Sequence, residues 1–269
     1  MIAGRRQLAA PGWLSACALA LLAPHAALGQ AEPGPIGGSL AATSDSIYRG
    51  VSQSDGHGAL QADLHASSAG GLFAGIWAST RDSNLEPGTD GEAQVYLGER
   101  FSFGSDWSAT VSGRSDYFVG GAAHHSDDYQ ELSASLTWLD RYTLSITAIP
   151  NAVRYSTVAY QYEGYQYEYY LVYRSAAFVA DAAAQWLLRE GVLGGGGLYL
   201  TAAAGYYYAS RPDHHPAPAV DYVYGNAGLA LEWRRWRIDL GYFAAQGQAA
   251  ELFPYPVAKR LAATVSCQF

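Results

Sequence analysis

Charged residues of this sequence recur at alternate positions within segments that are otherwise rich in apolar, serine and threonine residues. In the segment 59–67, Asp63 and His65 share one face of an extended chain, whose successive side chains point to opposite sides. The same alternation places fourteen ionizable residues on polar faces: Asp45, Arg49, Asp63, His65, Glu92, Arg100, Arg114, Asp116, Glu131, Asp181, Glu232, Arg237, Asp239 and Arg260. These eight acids, five arginines and one histidine predict either a pore lining that mildly favours cations or a network of ion pairs that braces an interior.

Three of the alternating polar residues have the types that a hydrolase acting on lipid would need. Asp63, His65 and Ser67 lie on one face, and hydrolytic triads combine a carboxylate, an imidazole and a hydroxyl. Alternation alone, however, places polar residues at these positions. We therefore predict no catalytic residue and no enzyme, and an outer-membrane lipase or deacylase remains the alternative.

Two histidine-containing stretches carry groups that bind divalent metals, His-His-Ser-Asp-Asp at 124–128 and Asp-His-His at 213–215. Both lie in predicted loops. Adjacent residues of an extended chain point apart, so neighbouring histidines do not converge on one ion. We predict neither a metal site nor a cofactor.

The stretch 49–56, Arg-Gly-Val-Ser-Gln-Ser-Asp-Gly, follows the first predicted strand. One interpretation is turn chemistry, in which glycine supplies unusual backbone angles and Asp and Ser side chains cap the turn. The other is a constriction or a contact with a passing solute. Both interpretations remain open from the sequence.

The elements that must position these residues are strands. Segments of about ten residues with a period of two are separated by Gly, Asp, Ser and Pro clusters, and about ten residues is the length with which a tilted strand crosses a bilayer. A β-sandwich would also alternate, but its dry core could not hold unpaired charges. The prediction is an all-β, closed antiparallel transmembrane β-barrel of about twelve strands, with fourteen as the alternative, beginning near residues 39, 59, 72, 92, 106, 128, 142, 176, 197, 221, 236 and 259.

The C-terminal residue Phe269 ends the last alternating segment and resembles the signal that directs barrels to the outer-membrane assembly machinery. If Phe269 lies on the periplasmic side, the short links 139–141 and 234–235 are periplasmic, and the long connections 211–220 and 247–257 are extracellular. The Tyr-rich run 160–173 keeps no single alternating face, so we predict an extracellular extension there.

The N-terminus has the features of an export signal. Arg5 and Arg6 precede an apolar run, and small residues follow near residue 29. We expect a signal peptide at 1–29, a periplasmic linker at 30–38 and the barrel at 39–269. Cys17 would be removed with the signal, which would leave Cys267 without an internal disulfide partner. A net charge of −8 argues against nucleic acid as a partner, because binding phosphate requires clustered basic residues.

The stretch Thr-Ser-Asp-Ser-Ile-Tyr-Arg-Gly-Val-Ser-Gln-Ser-Asp-Gly at 43–56 resembles the opening of the TorF family of porin-like outer-membrane proteins. Further similar positions are 59–61, 77–79, 128–129 with Glu131, 150–151, 205–207, 222–225 and Phe269. Ser46 and Gly58 depart from the family, which usually has an aromatic residue and proline there. The resemblance implies an outer-membrane β-barrel with a proposed channel function.

Together these features predict a porin-like channel in the outer membrane of a Gram-negative bacterium. Its predicted role is the passive diffusion of small hydrophilic solutes or ions, and its partners would be outer-membrane lipid and the barrel assembly machinery. Besides the enzyme, the alternative is a non-conducting structural or surface-binding barrel with the Tyr-rich run as its contact surface.

Overall fold

The computed structural model describes residues 36–81, 90–120, 128–162, 165–212, 216–253 and 256–269, with side chains described outside 156–171. The expected signal peptide at 1–29 and Cys17 lie outside the described residues, as do 124–127 and 213–215 of the two histidine stretches. Within the described part of the chain, no helix is both long enough and apolar enough to span a membrane.

The described residues form fourteen strands and one short 3-10 helix at Gly247–Glu251. The strands are β1 (Ile36–Thr43), β2 (Ile47–Tyr48), β3 (Val51–Ser52), β4 (Ala59–Ser67), β5 (Leu72–Thr80), β6 (Gly91–Phe103), β7 (Trp107–Val119), β8 (Tyr129–Trp138), β9 (Tyr142–Tyr162), β10 (Tyr165–Val192), β11 (Gly196–Ala209), β12 (Val220–Trp233), β13 (Trp236–Ala245) and β14 (Lys259–Gln268).

Twelve of these strands close into an antiparallel barrel, and β2 and β3 form a separate small hairpin. The barrel closes where β1 pairs with β14, with Leu40 opposite Cys267, and also with β4, with Ala42 opposite Leu60. Closure gives every strand two neighbours, so the wall has no open edge. The prediction of a closed twelve-stranded barrel is confirmed, and eleven strands begin within three residues of the predicted positions.

The outer face of the wall is apolar. Leu60, Leu97, Leu132 and Leu144 each expose more than half of their surface, and they alternate with residues directed to the interior. Four outward aromatic rings contact one another near the short-turn end of the wall, two pairs stacked and one edge-on, with centroid separations of 5.4–6.2 Å: Trp107, Trp138, Tyr142 and Trp186. An apolar band with aromatic residues at its border is the outer surface of a membrane-spanning barrel.

The two ends of the barrel differ in the length of their connections. At the end that carries Phe269, the links are short: 68–71, 104–106, 139–141, 193–195 and 234–235. Leu139 and Asp140 both have positive φ, at 52° and 51°, the pattern of a tight hairpin turn that matches the twist of its strands. The predicted short links therefore lie at one end, and the long connections lie at the other.

The β9–β10 hairpin extends beyond the rest of the wall. β8 pairs with β9 only as far as Ala148, and β11 pairs with β10 only from Ala177, whereas β9 and β10 continue to pair up to Tyr162 and Tyr165. The run 160–173 thus extends from the barrel as predicted, but as paired strands, and β10 begins eleven residues before the predicted start at 176. Backbone pairing with β9 needs no alternating apolar face, which is why the pattern did not reveal it.

Candidate functional site

The connection between β1 and β4, residues 44–58, folds into the barrel and is named here the inner loop. Its β2–β3 hairpin turns at Arg49 and Gly50, whose φ values are 48° and 77°. These two left-handed residues form the tight turn that joins the paired residues Tyr48 and Val51. A Cβ atom on Gly50 would lie 2.5 Å from the Cβ of Ala245, so only glycine fits at this point.

Asp45 holds the base of the inner loop. Its Oδ1 accepts hydrogen bonds from the hydroxyls of Ser52 (2.5 Å) and Ser54 (3.0 Å), and its Oδ2 lies 3.4 Å from a guanidinium nitrogen of Arg260 on β14. Asp45, Ser52 and Ser54 are all buried. The turn chemistry expected for this stretch is therefore present, and it fixes the hairpin to the wall.

The tip of the inner loop reaches residues of β7 and β8, nearly opposite β1 around the barrel. Arg49 donates two hydrogen bonds to Glu131, at 2.8 Å to Oε1 and 3.0 Å to Oε2. Arg114 lies 3.0 Å from the same carboxylate, and the hydroxyl of Tyr48 donates to it at 3.0 Å. We name Tyr48, Arg49, Arg114 and Glu131 the latch, since together they tie the loop to the far wall.

The two loop residues of the latch have altered acidity. Loss of hydration inside the barrel raises the pKa of Tyr48 well above its usual value, so its phenol stays protonated and can donate to Glu131. Loss of hydration also opposes the charge of Arg49, but the Glu131 carboxylate outweighs it, and the pKa of Arg49 lies above its usual value. The latch therefore holds a charged guanidinium and a neutral phenol.

A second segment covers the inner loop from the long-connection end. This cap comprises residues 246–253 and 256–258. Val257 bridges to Val51, the amide of Ser52 donates to the carbonyl of Pro256 at 2.9 Å, and the amide of Ala258 donates to the carbonyl of Gly50 at 2.8 Å. The inner loop is thus fixed from above by the cap and from the side by the latch.

Other ionizable residues from the sequence prediction lie in ion pairs on the strands. Arg237 lies 2.5 Å from Glu232 and 2.8 Å from Asp239, and Arg100 lies 3.2 Å from the half-buried turn residue Asp140. The remaining contacts of the set follow: Asp63 with His65 (2.6 Å) and Tyr96 (2.6 Å), Glu92 with Arg81 (3.3 Å) and Gln94 (2.8 Å), Asp116 with Arg114 (3.0 Å), and Asp181 with Tyr224.

The histidine of the hydrolase alternative is oriented by Asp63 through its Nδ1 atom. In the described part of the chain, no hydrogen bond joins His65 to Ser67. The described residues also contain no group of three His, Cys, Asp or Glu side chains placed to hold a metal ion.

Two tyrosines and two arginines are among the interior residues that sequence reasoning missed. Tyr48 is in the latch, Tyr96 binds Asp63, and Arg81 pairs with Glu92. Arg154 is 2% exposed and donates to the carbonyls of Ser210 and Pro218, each at 3.0 Å. The flanking position of Arg81, one residue after β5, placed it outside the alternating segments. Arg154 lies in the β9 extension, whose pairing was not predicted.

Two cavities lie on opposite sides of the inner loop. The aromatic chamber lies on the cap side and has a cavity volume of about 60 Å³. Aromatic rings form much of its lining. The polar chamber lies against β1, β4, β13 and β14 and has a cavity volume of about 110 Å³. It extends to Ser266 and Gln268 near the short-turn end of the barrel. Tyr48, Gln53 and Glu92 line both chambers, so the inner loop stands between them.

A closed antiparallel wall with an apolar outer face and a polar interior defines the class of transmembrane β-barrels. A family model described as "Bacterial protein of unknown function (Gcw_chp)" matches residues 27–172, more than half of the chain. The chain belongs to this family. The TorF name given to the sequence resemblance remains a prediction.

Several solved barrels resemble the structure at low sequence identity. A chain from "Unveiling the Mechanism Behind the in-meso Crystallization of Membrane Proteins" is 12% identical with a TM-score of 0.50, covering 87% of this chain and 83% of that one. The NanC porin is 9% identical with a TM-score of 0.49, covering 86% and 98%. The KdgM porin is 9% identical with a TM-score of 0.46, covering 87% and 98%. At 12% identity, the similarity to the first of these structures is a similarity of fold alone. No curated protein matches the chain in sequence.

Proposed function

We propose that the chain is a channel of the Gram-negative outer membrane for passive diffusion of small hydrophilic solutes or ions, with the inner loop as its constriction. The observation that carries this proposal is the position of the loop between the aromatic and the polar chambers. A loop that is held by one buried carboxylate across the lumen restricts the path without filling the barrel. Rearrangement of that loop would connect the two chambers.

The fixed charges of the polar chamber favour cations. Its lining includes Asp45, Asp63, Glu92 and Asp239 with Arg237. Arg260 and Arg81 lie 3.4 Å and 3.3 Å from Asp45 and Glu92, so four carboxylates face three arginines and one negative charge is in excess. An excess of carboxylates along a narrow, poorly hydrated path attracts cations and repels anions. The channel is therefore proposed to conduct cations in preference to anions. The excess of eight acids over five arginines in the sequence prediction favours the same selectivity.

A planar-bilayer recording tests the channel. Purified, refolded protein should give discrete conductance steps, and a gradient of potassium chloride should give a reversal potential on the cation-selective side. A heat-modifiable gel shift in the same preparation shows whether the barrel is folded. A folded barrel without conductance steps would refute the channel, and the non-conducting barrel braced by ion pairs would then be the better proposal.

A substitution in the latch tests, in the same recording, whether the inner loop is the constriction. Glu131→Gln keeps the size of the side chain but leaves Arg49 and Arg114 without their shared carboxylate. We expect larger conductance steps and a free energy of unfolding lower by about 3 kcal/mol, the effect of breaking a buried pair. Glu190→Gln removes the same charge from an exposed position and should change neither value. Unchanged steps in a folded Glu131→Gln protein would show that the loop is not the constriction.

The second candidate, a structural barrel, is favoured by the number of interior ion pairs. Arg237 with its two acids and Arg114 with Asp116 brace neighbouring strands. Such pairs are equally compatible with a channel, because they line its wall without crossing it. Among the segments that the structure describes, the inner loop is the one that crosses the lumen, so the two candidates differ in whether that loop moves.

A further inference from the structure

The aromatic chamber differs from the rest of the interior in its chemistry. Elsewhere the described inward positions carry mainly hydroxyl, amide and charged groups, whereas this cavity is bordered by rings from several elements. Phe118 and Tyr129 come from β7 and β8, Tyr155 comes from β9, and Phe253 comes from the cap. A passage for water and simple ions does not need such a concentration of rings at one depth.

These rings are held in place by their neighbours. Phe118 and Tyr129 contact each other with centroids 6.2 Å apart, and Phe253 meets the edge of Tyr207 at 6.0 Å. Tyr207 in turn stacks on Tyr222 at 5.3 Å, and both are buried. The outer four rings keep part of their surface exposed, whereas the two inner tyrosines form a rigid support. The walls are therefore preorganised, which lowers the entropic cost of binding.

Both arginines that line the chamber are paired with carboxylates. Arg49 pairs with Glu131 at 2.8 Å, and Arg81 pairs with Glu92 at 3.3 Å, so these two cations and two anions sum to zero. The guanidinium of Arg81 also lies 4.6 Å from the centre of the Phe118 ring. A charged solute finds no uncompensated partner among these four groups, but their edges can exchange hydrogen bonds with hydroxyl groups.

We propose that the aromatic chamber binds a neutral monosaccharide on its way through the barrel. A pyranose ring has an apolar C–H face that packs on aromatic rings and a rim of hydroxyls that suits the paired Arg and Glu groups and the Gln53 amide. The open space holds about four to six water molecules, which fits one sugar ring and not an oligosaccharide. This inference rests on the proposed channel, because it names the solute class that the channel carries.

Binding is measured on the folded protein in a detergent without a sugar headgroup, such as lauryldimethylamine oxide, by isothermal titration with D-glucose. The measurement does not need conductance, so its failure and that of the channel are distinguishable. Glycerol, which has hydroxyls but no ring, should bind at least about tenfold more weakly, because it cannot pack on the rings. Equal binding of glycerol, or binding of phenol without binding of glucose, would overturn the proposal.

Phe118→Ala and Tyr117→Ala form a matched pair, since adjacent residues of β7 point to opposite faces and Tyr117 is 43% exposed on the outside. Phe118→Ala should weaken glucose binding about fivefold, and Tyr117→Ala should leave it unchanged. If Phe118→Ala lacks the heat-modifiable shift, Phe118→Leu retains the apolar volume without the ring and should show the same weakening. Wild-type affinity in a folded Phe118 variant would overturn the assignment.

Discussion

At the scale of single residues, the candidate constriction depends on two neighbours with different requirements. Arg49 supplies the charge that reaches Glu131, and Gly50 supplies the space in which the turn meets the wall. The carbonyl of Arg49 also accepts a hydrogen bond from the hydroxyl of Tyr222 at 3.2 Å. Besides Asp45 and the cap, the turn is thus positioned by the backbone conformation of Arg49 and Gly50, the Glu131 carboxylate and the Tyr222 phenol, and a change at any of these should shift it.

Gly50→Ala tests whether the turn of the inner loop lies close against the wall, and Gly104→Ala is the matched control. Gly50 and Gly104 both have positive φ, at 77° and 68°, so alanine strains both positions by about 1 kcal/mol. A Cβ atom on Gly104 meets nothing within 4 Å, whereas one on Gly50 meets Ala245 at 2.5 Å. Urea unfolding and bilayer recording should therefore show a small destabilisation for Gly104→Ala, and a larger one with altered conductance for Gly50→Ala. Equal effects of the two substitutions would contradict the proposed close contact.

At the scale of elements, the β9–β10 hairpin combines two structural roles. Its lower part belongs to the wall, where β8 and β11 flank it. Higher up, Arg154 holds the carbonyls of Ser210 and Pro218 in the β11–β12 connection, and the amide of Tyr155 donates to the carbonyl of Leu252 in the cap at 3.2 Å. Beyond Ser156, the described backbone of β9 and β10 pairs within the hairpin.

Shortening this outer part should leave the barrel and its conductance intact. Joining Ser156 to Leu171 through Asn-Gly keeps their cross-strand pairing and uses a sequence that favours a two-residue turn. Arg154 and Tyr155 remain, so the cap keeps its support. The heat-modifiable shift and the conductance steps of the shortened protein should equal those of the full chain. Loss of conductance with the shift preserved would instead assign the extension to the channel.

At the scale of the whole molecule, the chain ends at the seam that closes the barrel. The amide of Phe269 donates to the carbonyl of Gly38 at 3.0 Å, and the amide of Gly38 donates to the carbonyl of Phe269 at 3.1 Å. These bonds extend the pairing of β1 with β14 to the last residue. Phe269 is 61% exposed, so its side chain contributes little packing to the folded barrel.

Phe269→Ala should therefore affect assembly in cells more than stability. We expect several-fold less protein in the outer membrane, measured by fractionation and the heat-modifiable shift, while refolding of the purified variant in detergent is unchanged. Phe103→Ala is the control, because Phe103 is 56% exposed and lies at the end of β6 on the same side of the barrel. Equal loss for both variants would show that Phe269 acts through general apolar surface and not as an assembly signal.

The sequence by itself determined the wall of this protein. A strand turns alternate side chains to opposite faces, so the positions of Leu60, Asp63 and Leu64 predict which side meets lipid, and eleven strand starts followed from such patterns. The β10 start did not, because the Tyr-rich run keeps no single alternating face in the sequence and its backbone pairs within one hairpin.

Only the tertiary structure decided what lies inside the wall. The residues of 49–56 predicted either a turn or a constriction. The fold places them in and after a hairpin turn whose tip contacts the far wall of the barrel. Arg49 and Glu131 are 82 positions apart, and no local periodicity relates them. Their contact depends on the closure of the barrel and on the direction in which Gly50 allows the loop to turn, and both are set by packing between distant segments.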